Sequence, residues 1–415
     1  MIRNGSQLYI LLLFLLLPLP VLAGEISGYV EAKGFAYAER WSGRDSRGLG
    51  WGTLFTKWEE KLGETQLSAS LRGEGITSGE NGALDFDPAD RKLRRSPVSV
   101  RDLWLRIPLN TTHDLQLGRF QLGWGKTDGY SPADAFLPRD LTDPFADEKL
   151  PLWALRLNGY GGTLRYEVVA APVTTPWRLP PLGSRNAPLK VDALPAGTVF
   201  NEVESSPPGI GFAAVRLLSS FGDWELGGWG RAGVRPAPLL NFRVDQMTAT
   251  SAGFSLPVER RYAMEEAAGI ELSRIIGSWI VRGEGAALFS RDRDLGNALI
   301  GAVSVEKSFG DGTFLVTLAG NAISPPVDSA QLFDRAILPV IITAWNRTEE
   351  WGEWKLVWSA GLKHGDGMFK GEAGYNLSDT WKLTLGGELP YGSEEGAIGA
   401  LQTARRVSVA LRRSW

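Results

Sequence analysis

The sequence predicts an all-β fold, a transmembrane antiparallel β-barrel of about 18 strands. Two observations carry this prediction. Apolar and polar residues alternate along many segments of about ten residues, and short turns of similar sequence recur between these segments. Tight turns at the periplasmic end of the strands and longer loops at the extracellular end are typical of barrels in the bacterial outer membrane.

The composition agrees with this class and excludes several others. Of the 415 residues, 50 are Gly, 16 are Trp, 17 are Phe and none is Cys. Without Cys the chain has no disulfide framework, no thiolate metal site and no cysteine nucleophile. The net charge of −3 excludes a nucleic-acid binder that works through a strongly basic surface.

The N-terminus predicts export from the cytoplasm. Arg3 precedes an unbroken apolar run at 8–17, and Val21 and Ala23 supply the small residues of a cleavage site. A permanent membrane anchor is the alternative, but this run is shorter than the roughly 20 residues of a membrane-spanning helix. The predicted domains are a signal peptide at 1–23 and a single outer-membrane barrel domain at 24–415.

The recurring turn combines Gly or polar residues with an aromatic ring, as in Phe221-Gly-Asp-Trp224. Eight short turns lie at 62–67, 110–115, 159–164, 221–226, 276–281, 309–316, 351–356 and 377–383. Nine longer connections lie at 41–50, 76–97, 124–151, 172–208, 235–258, 291–296, 323–336, 364–367 and 391–401. Because eight short and nine longer connections alternate along the chain, they join 18 strands.

The two faces of the predicted strands differ in polarity. Leu383, Leu385 and Leu389 share one face, whereas Thr384 and Glu388 lie on the other. In lipid the apolar face points outward, and the backbone hydrogen bonds close around the barrel. A soluble β-propeller or β-helix is the competing interpretation, but aromatic rings at one level beside the turns favour a membrane-interface girdle. These rings are Trp224, Trp279, Phe314, Trp354 and Trp381.

The C-terminal segment is predicted to be the last strand of the barrel. Val407, Val409 and Leu411 alternate with polar or small residues, and the chain ends on Trp415. This ending resembles the C-terminal assembly signal of outer-membrane proteins, which usually ends in Phe. The resemblance implies that Trp415 is read by the barrel-assembly machinery and that the outer face contacts outer-membrane lipid.

The connection after the fifth strand has the most distinctive local sequence. Gly118-Arg119 is followed by Trp124-Gly125 and Asp128, and then by Pro-x-Asp and Pro-Arg-Asp groups up to residue 151. This run is similar to that of porin-like bacterial outer-membrane barrels, including those of the alginate-export type. The resemblance implies an 18-stranded solute channel whose third extracellular loop folds inward. It does not imply alginate as the solute, because the lumen lacks an overwhelmingly arginine-rich wall.

The segment 124–151 is therefore the predicted pore constriction. Its four prolines restrict the backbone, so the segment can be ordered without regular secondary structure. Its acidic spacing fits no standard calcium loop, and no metal site is predicted. The predicted constriction residues are Lys126, Asp128, Asp134, Arg139, Asp140, Asp143, Asp147 and Glu148.

Charged residues at inward positions are distributed unevenly around the predicted wall. The last four strands are mainly basic, whereas the tenth to twelfth strands are mainly acidic. One interpretation is a transverse field that orients solutes or selects ions, and the other is a solvated wall of mutual ion pairs. The basic positions are Lys355, Lys363, Lys370, Lys382, Arg406 and Arg412. The opposing positions are Glu265, Glu271, Arg282 and Glu284.

Together these features predict an outer-membrane porin for passive or facilitated diffusion of small polar or charged solutes. The sequence predicts no enzyme activity and no cofactor. His113 lies in a tight turn and His364 in a loop, and the His364-Gly-Asp366 spacing, although similar to His/Asp pairs of outer-membrane proteases, is common by chance. No nucleic-acid partner is expected. The alternative is a structural sleeve around a protein partner, such as a multihaem electron carrier or a component of an export line.

Overall fold

A computed structural model describes residues 24–40, 47–77, 86–146, 148–187, 194–195, 197–203, 207–251, 253–324 and 337–415. The predicted signal peptide and Asp147 lie outside these residues. Within these ranges, no helix has the length and apolar character needed to cross a bilayer.

Eighteen of the described strands form one antiparallel wall. The first nine are β1 (Glu25–Tyr37), β2 (Gly48–Leu62), β3 (Thr65–Ile76), β4 (Val98–Asn110), β5 (His113–Phe120), β8 (Leu152–Gly161), β9 (Leu164–Ala171), β11 (Phe212–Phe221) and β12 (Trp224–Val234). The other nine are β16 (Met264–Ile276), β17 (Trp279–Ser290), β18 (Asn297–Phe309), β19 (Gly312–Ser324), β20 (Val340–Glu349), β21 (Gly352–Gly361), β22 (Gly367–Asn376), β23 (Trp381–Tyr391) and β24 (Arg406–Ser414).

Six shorter strands lie in the connections between wall strands. They are β6 (Arg139–Asp140), β7 (Glu148–Lys149), β10 (Thr198–Val203), β13 (Leu239–Phe242), β14 (Thr248–Thr250) and β15 (Gly253–Arg261). β6 and β7 pair within the connection after β5. The other four form a small sheet above the wall, packed on a cluster that includes Trp177, Leu240 and Val258.

The wall closes on itself, because β1 pairs with β24 from Tyr29 opposite Ser414 to Tyr37 opposite Arg406. The described wall strands therefore form a barrel without a free edge, in which every strand has two hydrogen-bonded neighbours. The eight tight turns all lie at one end, here called the turn end, and the longer connections lie at the loop end. The predicted all-β barrel and its 18 strands are confirmed.

The tight turns show why Gly recurs in them. Gly222 and Gly277 have φ values of 57° and 59°, in the left-handed region that side chains other than Gly rarely adopt. Two-residue turns of this hand match the twist of the flanking strands. The sequence pattern of Gly beside an aromatic residue therefore marks the point where each hairpin reverses.

The outer face of the wall is apolar and exposed, whereas the inner face is polar or small. On β23, Leu385 is 56% exposed and Glu388 is 5% exposed. The aromatic residues Trp224, Trp279, Phe314 and Trp381 stand exposed just after the turns. The fifth predicted ring, Trp354, packs edge-to-face on Trp345 with ring centroids 4.2 Å apart. This exterior suits hydrocarbon flanked by an interfacial aromatic girdle.

Candidate functional site

The connection between β5 and β8, residues 121–151, enters the barrel and is called the inward loop here. Arg72 on β3 lies 2.6 Å from Glu148 of the loop, Nη1 to Oε1. Arg282 on β17 lies 3.0 Å from Asp128, and Arg406 on β24 lies 2.8 Å from Asp143. Because these strands belong to different sectors of the wall, the inward loop extends across the lumen.

One wall carboxylate holds the inward loop at mid-barrel. Oε1 of buried Glu284 accepts hydrogen bonds from the backbone N–H groups of Lys126 and Thr127, the latter at 2.6 Å, and from Thr127 Oγ1 at 3.0 Å. Oε2 accepts from Ser131 Oγ at 2.6 Å and from the Ala133 N–H at 3.0 Å. This carboxylate thus satisfies backbone donors that a loop buried away from water would otherwise leave unpaired.

An aromatic cluster packs the loop against a second sector of the wall. Phe136 lies edge-to-face with Trp124 and with Phe212 of β11, at centroid distances of 5.7 and 5.9 Å. Trp229 of β12 lies 5.4 Å from Phe136. Arg216 of β11 donates from Nη2 to the Trp124 carbonyl at 2.9 Å. The inward loop therefore carries a small hydrophobic core inside the barrel.

The wall makes room for this core with small inward residues. Six buried alanines face the interior on six different strands, where the sequence analysis expected polar side chains. Small side chains let a loop approach the wall closely and pack without voids. Alanines at inward positions of several strands are the sequence signal for a packed loop, and the predicted wall set did not include them. These residues are Ala154, Ala214, Ala267, Ala286, Ala302 and Ala319.

A buried ion network anchors the end of the inward loop that returns to β8. Asp140 lies 2.9 Å from Arg95 Nη2 and 2.6 Å from Arg178 Nη1. Arg178 also lies 2.8 Å from Asp90, and Arg95 lies 3.1 Å from Glu74. Although burial opposes ionisation, the two guanidinium groups hold the pKa of Asp140 well below its usual range. Asp140 therefore joins three connections together.

The predicted constriction residues divide into loop-holding and pore-lining groups. Asp134 accepts from the N–H groups of Trp124 and Gly125, both at 2.9 Å, and pairs with Lys149. Lys126 pairs with Glu225 of the wall. These contacts fix the loop's own shape and its position against the wall.

Asp128 differs, because its side chain is 53% exposed to the lumen. Partial burial raises the pKa of Asp128, against the opposing effect of Arg282. Burial lowers the pKa of the neighbouring Lys126. Asp128 is therefore exposed inside the barrel, unlike the buried Asp134, Asp140 and Asp143.

The basic positions of the last strands do not all face the loop. Arg406 contacts Asp143, and Lys370 donates to the Phe145 carbonyl at 2.8 Å. Lys382 and Arg412 lie near the turn end, where they pair with Glu353 and Glu31. Lys355 lies opposite Glu372 of β22 in the strand register.

Lys363 is a correction to the predicted wall set. β21 ends at Gly361, so Lys363 lies in the connection to β22 and not at an inward wall position. The alternating pattern was extended too far, because the polar residues of a connection can continue a period-two pattern by chance.

The acidic positions are likewise paired. Glu271 lies 2.7 Å from Arg216, and Glu265 lies 3.3 Å from Arg231. Within the described ranges, no group of three or more His, Cys, Asp or Glu is arranged to hold a metal ion. The wall thus agrees better with mutual ion pairs than with one sector of unpaired charge facing another.

Comparisons with known proteins add little to this geometry. No family model matches the chain, and no curated protein matches it. Two mutants of the porin from Rhodopseudomonas blastica match 94% of this chain and 100% of theirs, at 10% identity and TM-scores of 0.42 and 0.41. Likenesses at this level carry no functional argument, and the resemblance to alginate-export type barrels stays a prediction.

Proposed function

We propose that this protein is an outer-membrane channel through which small polar or charged solutes diffuse. The observation that carries the proposal is the combination of an apolar exterior, a closed barrel and a charged lumen narrowed by the inward loop. An apolar belt on a barrel suits lipid, whereas a charged interior suits water and dissolved solutes.

Ion pairs near the turn end support a wet lumen. The side chains of Arg412 and Glu353 face inward and are 42% and 50% exposed. Water therefore reaches inward-facing charges at the turn end, as a path for polar solutes requires. The side chain of Asp128 on the inward loop is also partly exposed.

The alternative function, a structural sleeve around a protein partner, is disfavoured by the contacts of the inward loop. The inward loop bonds to wall side chains on β3, β17 and β24, and its aromatic cluster packs on β11 and β12. A folded electron carrier would have to displace all these contacts. Passage of small solutes needs no such rearrangement.

The C-terminus favours assembly in the outer membrane. Trp415 exchanges backbone hydrogen bonds with Gly28 of β1 at 3.1 and 3.2 Å, so the last residue completes the barrel seam. We propose that the barrel-assembly machinery reads this terminal strand before the seam closes. The turn end then faces the periplasm and the loop end faces outward.

Planar-bilayer recording tests the channel. Purified protein should produce discrete conductance steps at low protein concentration, and empty detergent micelles should produce none. Heat-modifiable gel mobility verifies that the same sample is folded. Folded protein that inserts into the bilayer but never conducts would contradict the proposal.

A further inference from the structure

Two cations stand on the outer face of the wall near the turn end. Arg274 of β16 lies opposite Trp224 in the strand register, and Lys307 of β18 lies opposite Trp279. Both tryptophan rings are exposed on the outer face. Residues directly opposite each other on paired strands point to the same face, so both cations also point outward. They therefore lie within the aromatic girdle, at the level of the membrane interface.

Each of these cations lies over an aromatic ring. The guanidinium carbon of Arg274 is 4.7 Å from the centre of the Trp224 ring, and Nζ of Lys307 is 4.7 Å from the centre of the Trp279 ring. A cation over the face of a ring is attracted to it, but the ring carries no net charge. The rings therefore position the two cations at the interface without balancing their charge.

Neither cation has a carboxylate partner. In the part of the chain that the structure describes, neither side chain forms an ion pair or donates a hydrogen bond, and Asp223 and Asp311 in the nearby turns pair with neither. Arg347 of β20 differs, since it also faces outward at the girdle but lies 2.8 Å from Glu349. The outer face of β16–β18 thus presents two unbalanced positive charges where lipid headgroups begin.

We propose that the outer face of β16–β18 binds an anionic phospholipid in the periplasmic leaflet of the outer membrane. Arg274 and Lys307 flank β17, and two strand spacings separate them by about 10 Å across the wall. Guanidinium and ammonium groups both donate to phosphate oxygens. The inference uses the membrane orientation proposed above, but it does not depend on conduction through the lumen.

The surface beside the cations explains why the ligand is a lipid. Further from the turn end, Ile270 of β16 is 69% exposed and Val303 of β18 is 54% exposed on the same face. A phosphate group between the two cations places its acyl chains against these residues. Free phosphate would meet the cations but leave the apolar surface bare. A zwitterionic phospholipid brings a positive group of its own beside Arg274 and Lys307, so an anionic headgroup matches the site better.

Binding is tested with phosphatidylglycerol that carries a fluorophore on one acyl chain. The folded barrel in detergent micelles is titrated into this lipid, and fluorescence anisotropy reports binding. Phosphatidylcholine with the same chains and fluorophore is the zwitterionic counterpart and should bind more weakly. Arg274→Gln and Lys307→Gln should each weaken phosphatidylglycerol binding about fivefold, the effect of one basic residue at an anionic membrane surface.

Arg347→Gln is the matched control. It removes the same charge at the same level of the wall, but from a residue that already pairs with Glu349. It should leave the affinity for phosphatidylglycerol unchanged. Inorganic phosphate at the same concentration as the lipid should not displace it. Heat-modifiable gel mobility verifies that every variant is folded.

Three outcomes would overturn the inference. The first is equal affinity for the two lipids, and the second is an equal loss of affinity in Arg347→Gln and Arg274→Gln. The third is displacement of the lipid by inorganic phosphate, which would indicate a site for the free ion.

The bilayer recordings separate this inference from the proposed function. Conductance together with equal binding of the two lipids would retain the channel and overturn the lipid site. Preferential binding of phosphatidylglycerol by a barrel that never conducts would retain the lipid site and overturn the channel.

Discussion

Glu284 offers the sharpest test of how the inward loop is held. Its carboxylate accepts hydrogen bonds from five loop donors, among them the Thr127 and Ala133 N–H groups. Glu284→Gln keeps the size of the side chain but replaces one acceptor oxygen with an NH₂ group. That NH₂ group faces donors on the loop, so at least one buried backbone N–H loses its partner.

The magnitude follows from these contacts. A hydrogen bond to a charged group contributes about 1.5–3 kcal/mol, and five bonds on one carboxylate are not additive. We expect Glu284→Gln to raise the free energy of the docked loop by about 3 kcal/mol relative to the released loop. This value is at the low end of the cost of breaking a buried charged contact. Because each 1.4 kcal/mol is a factor of ten, the ratio of released to docked loop should rise by more than about a hundredfold.

Single-channel recording provides the assay. Glu284→Gln should show a larger mean conductance and added flicker as the loop leaves and re-enters the lumen. Glu353→Gln is the matched control, since Glu353 is an inward carboxylate that pairs with Lys382 near the turn end. If Glu284→Gln conducts with the same step size and noise as the wild type and the control, the loop is not held by this carboxylate.

Three further predictions concern the wall, the seam and the pore. Leu385→Arg on the outer face should destabilise the folded barrel in the membrane by about 2–4 kcal/mol, whereas inward Thr384→Arg should not. Equal folded yields of the two variants on heat-modifiable gels would contradict this. Deleting Trp415 should lower outer-membrane levels but leave export to the periplasm intact, and unchanged membrane levels by fractionation would count against the seam role. Asp128→Asn should shift the reversal potential toward anions. Asp294→Asn, at an exposed position in the connection after β17, should not. Identical reversal potentials for both variants would show that Asp128 does not line the pore.

The barrel was predictable because its signals are local. Each turn carries its own Gly and aromatic residue, and each strand carries its own alternation, so the strand number follows from reading hairpins one at a time. Residues such as Leu385 and Glu388 could be assigned to faces without knowing their neighbours. Lys363 shows the limit, because alternation does not mark where a strand ends.

The partners of the inward loop were not predictable in the same way. Asp140 was expected to face the pore, yet it is fully buried between Arg95 and Arg178. These arginines come from the connections after β3 and β9, far from Asp140 in the sequence. A single sequence does not show which distant charges the closed barrel brings together. The prolines and acidic residues of the loop indicated an ordered segment inside the barrel. They did not indicate which of its carboxylates bind the loop to the wall and which remain exposed.

The size of the barrel provides the room for the inward loop. An 18-stranded wall encloses more space than its own side chains can fill, and the inward loop occupies part of that space. The inward alanines make room for Trp124 and Phe136, and Glu284 satisfies the backbone donors that this burial would leave unpaired. Most wall charges meanwhile pair with each other. In the proposed channel, we therefore expect selectivity to depend on the residues beside that loop more than on the charge of the wall.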